Sequence, residues 1–454
     1  MKLEIIILAA GQGTRMRSDL PKVLHQVAGK PMLGHVINTA KALSPTAIHV
    51  VVGHGADIVS ETMADNSLNW VLQSERLGTG HAVLQAMPAI GQDSTVLILY
   101  GDVPLISADS LQVLVEQAAS VPALLTAIAA DASGYGRILR DISGALSGVV
   151  EDKDASKEQR AITEINTGVL AAPAALLKKY LPRVGNANVQ GEYYLPDILP
   201  MAVADGLTVA SSLAASEMDI LGVNDPLQLA QVEREFQLRQ ARELMRAGVR
   251  IADPGRIDIR GSLRCGRNVS IDVNTVFEGK VELADNVCVG PNCVVINSRI
   301  GSDSTVHAMS HLEEAELGQA CNVGPYARLR PGTQMANKAR IGNFVETKKA
   351  QIGEGSKINH LSYVGDCIMG AGVNIGAGTI TCNYDGVNKH LTQIGDSAFV
   401  GSNSTLVAPI EVGQGGFVAA GSTVTKAIAN DELAVARGKQ RNIQGWQRPH
   451  KKDS

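Results

Sequence analysis

The chain has 454 residues, 45% hydrophobic and 19% charged, with aromatics at only 3%. That length allows about two to three domains, and the apolar share supports a sizeable core and excludes wholesale disorder. Acidic residues exceed basic ones, 45 against 41, for a net charge of −4; this excludes a nucleic-acid binder held by bulk charge but not a local basic site.

The first predicted element is a buried strand, Leu3–Ala9. The apolar run Ile5–Ala10 is far too short to span a membrane, and Gly11–Arg15 follows at once without a cleavage pattern, so a cytoplasmic protein is expected. Strands over Ile48–Val52 and Val96–Tyr100 alternate with helices over Leu33–Leu43 and Ser110–Ala119, the order of an α/β domain with a mainly parallel sheet. The first strand runs into Leu8-Ala9-Ala10-Gly11-Gln12-Gly13-Thr14-Arg15, then Pro21-Lys22. This is neither a Walker loop nor a dinucleotide fingerprint. A strand feeding a Gly-x-Gly turn still exposes backbone N–H groups at the carboxyl edge of the sheet, where nucleotides bind, and Arg15 and Lys22 add positive charge. The third strand delivers Tyr100-Gly101-Asp102, a carboxylate placed to hold Mg²⁺ against phosphates. Asp225-Pro226 opens and Gly248 closes a predicted helix over 227–247, with Leu229, Val232, Phe236 and Leu244 near one face, a connector between domains.

Beyond residue 250 the period becomes six. Ile394, Val400, Leu406, Val412, Val418 and Val424 are all aliphatic, and Leu317, Val323, Leu329, Met335 and Ile341 repeat the pattern. This is the hexapeptide repeat of a parallel β-helix, each short strand pointing one aliphatic inward. The repeat breaks over Cys382–Gln393, which must leave the coil as a loop. Arg330 and Lys348 are three hexapeptides apart, so they stack on one face as a phosphate site. His360 is a candidate general base, because an imidazole can take up a proton near neutral pH. The six cysteines form no Cys-x-x-Cys and are read as reduced, buried thiols. The tail, with Arg437, Lys439, Arg441, Arg448, Lys451 and Lys452, is read as a solvated end.

The Leu8–Lys22 string resembles the signature of the sugar-nucleotide pyrophosphorylases. Gln73 with Leu77-Gly78-Thr79-Gly80, Gly134-Tyr135-Gly136-Arg137, Glu151, Glu164-Ile165-Asn166-Thr167-Gly168 and Gly191-Glu192-Tyr193-Tyr194 extend the likeness nearly end to end. They are similar to the bacterial bifunctional N-acetylglucosamine-1-phosphate uridylyltransferases / glucosamine-1-phosphate acetyltransferases. The resemblance implies a Rossmann-like nucleotidyltransferase domain (1–226), a linker helix (227–247) and a left-handed parallel β-helix acetyltransferase domain with a C-terminal arm (248–454). It implies that Leu8, Ala9, Ala10, Gly11, Lys22, Gln73, Gly78, Thr79, Tyr100, Gly101, Asp102, Gly136, Glu151, Asn166 and Asn224 bind UTP and the nucleotide sugar. Lys22 and Arg15 would be catalytic, with Mg²⁺ on Asp102 and Asn224. In the β-helix it implies His360 as the base, Arg330, Lys348, Tyr363, Asn374 and Asn383 on glucosamine-1-phosphate, and Ala377, Asn383, Tyr384, Ser402, Ala420 and Arg437 on acetyl-CoA. Lys389 is a further phosphate contact, and His81 is structural. Pro196 departs from the family pattern, which has Thr there, and the charged arm around Arg437 departs too. The expected assembly is a homotrimer acting on small molecules, with neither nucleic acid nor membrane as partner. The alternative reading is a sugar-1-phosphate nucleotidyltransferase whose β-helix only oligomerises or regulates. An assembly subunit that lost both activities is disfavoured by the intact Arg15, Lys22 and Asp102.

Overall fold

The computed structural model describes residues 2–449 and Lys451; Lys452 of the tail lies outside the described residues. The chain forms two compact units that divide between Gln237 and Leu238.

The first unit is built on a twisted sheet in the order Ala210–Leu213, Ala123–Ile128, Glu164–Pro173, Ser94–Tyr100, Lys2–Ala9, Ala47–Val52, Leu68–Leu72. Only Glu164–Pro173 runs antiparallel to its neighbours on this path; a hairpin, Arg137–Arg140 with Leu146–Val150, pairs off it. Lys2–Ala9 is central and covered on both faces, which is why it reads as an unbroken apolar run: Ile5, Ile7 and Ala9 enter one cluster, Ile6 and Leu8 the other. The predicted elements appear within two residues of their expected bounds, with helices at Met32–Ala42 and Ala108–Gln117. The carboxyl ends of Lys2–Ala9, Leu68–Leu72 and Ser94–Tyr100 therefore open on one edge.

The long helix is Pro226–Arg246, and Gly248 follows at φ +97°. Its first half belongs to the first unit. Val232 is fully buried with Met16, Val27, Met32, Leu105 and Val223, and Leu229 and Phe236 pack against them.

The second unit is a stack of short parallel strands. The register pairs Ile300 with Leu317, Leu317 with Met335, Met335 with Ile352 and Ile352 with Met369. Each inward aliphatic thus lies on the one a coil below. All six residues of the Ile394–Val424 series are buried. Between Met369 and Ile394, also paired, the coil carries the insert. The corners demand small residues: a Cβ on Gly342 would stand 2.0 Å from the Asn359 carbonyl oxygen. The six thiols are free, but the expected burial holds fully only for Cys293, Cys321 and Cys367. Cys288 is exposed, and Cys265 and Cys382 are half-buried. The six-residue period marks strands without assigning inward or outward facing to a cysteine off the aliphatic register.

Gly342→Ala should destabilise the second unit by about 3 kcal/mol, as overpacking does, whereas Gly148→Ala, with nothing within 4 Å of the added Cβ, should change stability by less than about 1 kcal/mol. Urea unfolding curves of the two variants against the parent test the contrast.

Candidate functional sites

At the open edge of the first unit lies a cleft lined by Leu8, Ala9, Ala10, Gly11, Lys22, Gln73, Gly78, Thr79, Tyr100 and Asp102 among others. Ten of the residues expected to bind nucleotide therefore share one cavity. At its floor the Lys22 ammonium donates to a carboxylate oxygen of Asp102 and, at 3.1 Å, to Asn224 Oδ1. Lys22 and Asp102 side chains are only 11% and 18% exposed, which strengthens their attraction over that of a surface pair. Backbone bonds fix the partners: Gly101 N donates to Leu8 O at 2.9 Å, and Val223 N to Asp102 O at 2.9 Å. Gly13, at φ +64°, lies on the Lys22 stem, where a Cβ would stand 2.6 Å from Lys22 Cβ.

One wall is a strap. Gly80 N donates to Tyr193 O and Tyr193 N to Leu77 O, both at 2.8 Å, and Leu195 N donates to Thr79 Oγ1 at 3.1 Å. Gly78 sits at φ +107°, with Tyr193 backbone atoms 2.7 Å from where a Cβ would be. Gln73 is held by its Nε2, 3.3 Å from Gly78 O and 3.1 Å from His81 Nδ1. Pro196 is buried in the short 3₁₀ turn Leu195–Asp197.

Gly136, Glu151 and Asn166 form an adjoining group rather than part of the cleft lining. A Cβ on Gly136 would meet Glu151 Oε1 at 3.1 Å and Asn166 Cβ at 3.4 Å. Tyr100 adjoins both groups. Burial pushes its phenol pKa up, and the Glu151 and Asp102 charges push the same way. Its ring lies on Gly168, at φ +80°, where a Cβ would stand 2.6 Å from it. Burial also raises the Glu151 carboxyl, followed by the charges of Asp197 and Asp154. Arg15 is not in the cleft: it lies exposed on the turn Thr14–Met16. Two charged lining residues are not among the expected site residues: Arg76, and Glu192 of the Gly191–Tyr194 motif.

In the second unit, Lys348 pairs in register with Gly365, one coil from Arg330. Arg330 is not a free cation: its Nη1 donates to Glu346 at 2.8 Å. The insert turns back on itself through a Tyr384–Lys389 bridge and an Asp385–His390 pair at 2.7 Å, and brings Lys389 to Lys348. The Lys389 ammonium, donating to the neutral Lys348 nitrogen and repelling its charged form, holds Lys348 below the usual lysine range, with Arg330 adding to the effect. Tyr363 lies over Gly365, where a Cβ would stand 2.4 Å from its hydroxyl and 3.0 Å from Asn383 Nδ2. Asn383 donates to Asp366.

His360 heads a corner column. Asn343 precedes it in register, and its Oδ1 is 2.7 Å from His360 Nδ1. A carboxamide oxygen only accepts, so in this pairing the ring donates from Nδ1, and in the neutral ring the lone pair lies on Nε2. Asn343 escaped the sequence reading; its signal is its place one coil before His360. Above it, Gly378 N donates to His360 O, Asn403 N to Ala377 O and Gly421 N to Ser402 O, and Arg437 Nη1 donates to Ala420 O at 2.7 Å. His360, Ala377, Ser402 and Ala420 thus climb one edge, with Arg437 folded onto it. Asn374 is elsewhere in this chain. It pairs with Lys357 and Phe399, three residues before His360 in register, roughly 10 Å along a strand.

The fold defines a two-unit transferase: a nucleotidyltransferase sheet followed by a hexapeptide β-helix. Residues 5–180 match the model of the MobA-like NTP transferase domain. The chain is 56% identical over 450 residues to the bifunctional protein GlmU of Marinobacter nauticus, covering 99% of each chain. It is 56% identical over 453 residues, all of both chains, to that of Stutzerimonas stutzeri, and 55% identical over 452 residues, 99% of each, to that of Pseudomonas putida. The chain belongs to the family of bifunctional GlmU proteins.

Two outcomes test the geometry. Gly168→Ala should displace Tyr100 and weaken uridine-nucleotide binding, read by calorimetric titration. Lys389→Met should let the Lys348 pKa rise, leaving less neutral amine at a given pH; reductive methylation of Lys348, followed by mass spectrometry, should slow.

Proposed function

We propose that the two groups of residues carry out the two halves of UDP-N-acetylglucosamine synthesis. The second unit acetylates glucosamine-1-phosphate from acetyl-CoA, and the first couples the product to UTP and releases pyrophosphate. The observation that carries this reading is the half-buried Lys22 ammonium, which faces the oxygens of both Asp102 and Asn224 beside the cleft at the sheet edge. The functional division of the chain is 1–226, 227–247 and 248–454.

In the first reaction a sugar-phosphate oxygen attacks the α-phosphorus of UTP, and the bond to pyrophosphate breaks. Both reactants are anionic, so catalysis is mostly positioning and charge stabilisation. Lys22 stabilises the charge that develops on the α-phosphoryl group. Gln73 and the Gly78 backbone hold the uracil, Ala9–Gly11 and Thr79 the nucleotide, and Gly136, Glu151 and Asn166 the sugar. Arg15, on its exposed turn, is assigned to the departing pyrophosphate. The family uses a divalent metal. Asp102 and Asn224 present two hard oxygens toward one cation position, a donor set that suits Mg²⁺ completed by phosphates and water. When bound, that ion supplies neutralisation of phosphate charge.

In the second reaction His360 Nε2 takes a proton from the sugar ammonium. The freed amine attacks the thioester carbonyl, the C–S bond breaks, and the departing thiolate takes the nitrogen's second proton, leaving the amide and the free thiol. Asn343 keeps the ring in the tautomer this needs. Lys348, Lys389 and Arg330 face the sugar phosphate, with Tyr363 and Asn383 beside it. Ala377, Ser402, Ala420 and Arg437 line the coenzyme's path, with Tyr384 from the insert. Asn374 stands at a separate strand position from these groups in its own chain, which favours a homotrimer in which a neighbouring copy supplies it. No helix among the described residues is long and apolar enough to cross a membrane, and the soluble, charged substrates accord with a cytoplasmic enzyme.

His360→Ala should lower acetyl transfer by about 10²–10⁴-fold, the share of a positioned base, and spare pyrophosphate release. Asp102→Ala should do the reverse. Thiol release and pyrophosphate release, assayed separately on each variant, check both; one substitution abolishing both activities in folded protein contradicts the division.

A further inference from the structure

Arg76 lies in the cleft wall, on the loop between the strand Leu68–Leu72 and the helix Thr79–Ala86. Its Nη1 donates to Gln12 Oε1 at 2.9 Å. Gln12 stands between Gly11 and Gly13, in the turn that exposes backbone N–H groups at the sheet edge. The contact therefore joins two chain segments bordering the same cleft. Arg76 makes no ion pair among the described residues and is exposed, so its charge is uncompensated by any carboxylate. A neutral carboxamide is a weak partner for a guanidinium; a phosphate offers paired, charged oxygens that match its fork. Lys22 is engaged with Asp102 and Asn224, and Arg15 lies outside the cleft lining. Arg76 is thus the cation in the lining with the least to give up when an anion arrives.

We propose that Arg76 is a triphosphate-binding residue of the uridylyl-transfer site. Its guanidinium exchanges Gln12 for the β- and γ-phosphate oxygens of UTP, and so acts on UTP and on pyrophosphate but not on the nucleotide-sugar product, which lacks a γ-phosphate and the leaving group. The inference rests on reading the first unit as a uridylyltransferase.

The test uses the full-length protein with Arg76→Gln and Arg76→Lys. Arg76→Gln should raise the KM for UTP and the inhibition constant of pyrophosphate about tenfold, the effect of one exposed charge-assisted hydrogen bond. The dissociation constant of UDP-N-acetylglucosamine, measured calorimetrically, should stay within twofold. Arg76→Lys should recover part of the loss, because charge returns without the fork. Thermal unfolding and acetyl transfer, unchanged, establish that the variant is folded. Equal weakening of UTP and the nucleotide sugar would assign Arg76 to the uridine or to cleft shape and overturn the proposal, as would no change in either. If the parent itself released no pyrophosphate from UTP, the uridylyltransferase reading would fall instead.

Discussion

The first unit is organised around one ammonium. Lys22, Asp102 and Asn224 come from three distant segments, and the half-buried cation is where they meet. Two oxygens facing one cation are stable there only while the geometry is held. Much of the surrounding structure holds it. Gly13 yields space to the lysine stem. Val223 N bonds to the Asp102 carbonyl, and Gln228 Oε1 accepts from Asn224 N at 2.7 Å. Glu233, further along the same helix, accepts from Ala28 N at 2.6 Å in the turn after Lys22. The first turns of the long helix are therefore part of the frame around Lys22, not merely a tether.

In the second unit the organising constraint is register. A coil that closes on aliphatic residues must repeat its corners at the same place, so any side chain beside a corner recurs above and below. That is why a histidine, three small residues and an arginine can form one continuous edge from widely separated positions. The insert is the single large departure from the repeat, and it brings the extra cation, Lys389, to Lys348. Its own brace is the Asp385–His390 pair, which holds Asp385 well below the usual carboxylate range.

The repeat was legible because burial imposes a period, and a period survives in one sequence. Lys22 and Asp102 were legible because each closes a strand-and-turn pattern that chemistry restricts. Less visible were contacts set by tertiary approach. Nothing in the 76 region alone brings Arg76 to Gln12. The spacing that stacked Arg330 on Lys348 was right in register, yet it could not reveal that Glu346, two residues before Lys348, would neutralise the arginine. Asn343 was hidden for a milder reason: its relation to His360 is one coil, a distance read only after the coil's length is known at that point. The burial of Val232 against Met32 and Val223 shows a third limit. Helical periodicity identifies an apolar face but not what that face meets.

The two sites also differ in how they manage water, and the difference bears on assembly. The Lys22 group sits in a concave cleft with strap and glycine turn around it, so its electrostatics are strengthened by the fold of one chain. His360 and Lys348 stand on the outside of a solenoid, where every side chain that leaves the coil enters solvent. A base and a cation cluster gain from exclusion of water, and a convex rod cannot supply that alone. The cover must come from the coenzyme, the insert or another copy. Asn374 lies on a separate strand position, and Phe399 and Phe417 stack beside it at 4.7 Å with both rings part-exposed. The solenoid thus presents a polar residue and an aromatic ladder outward together.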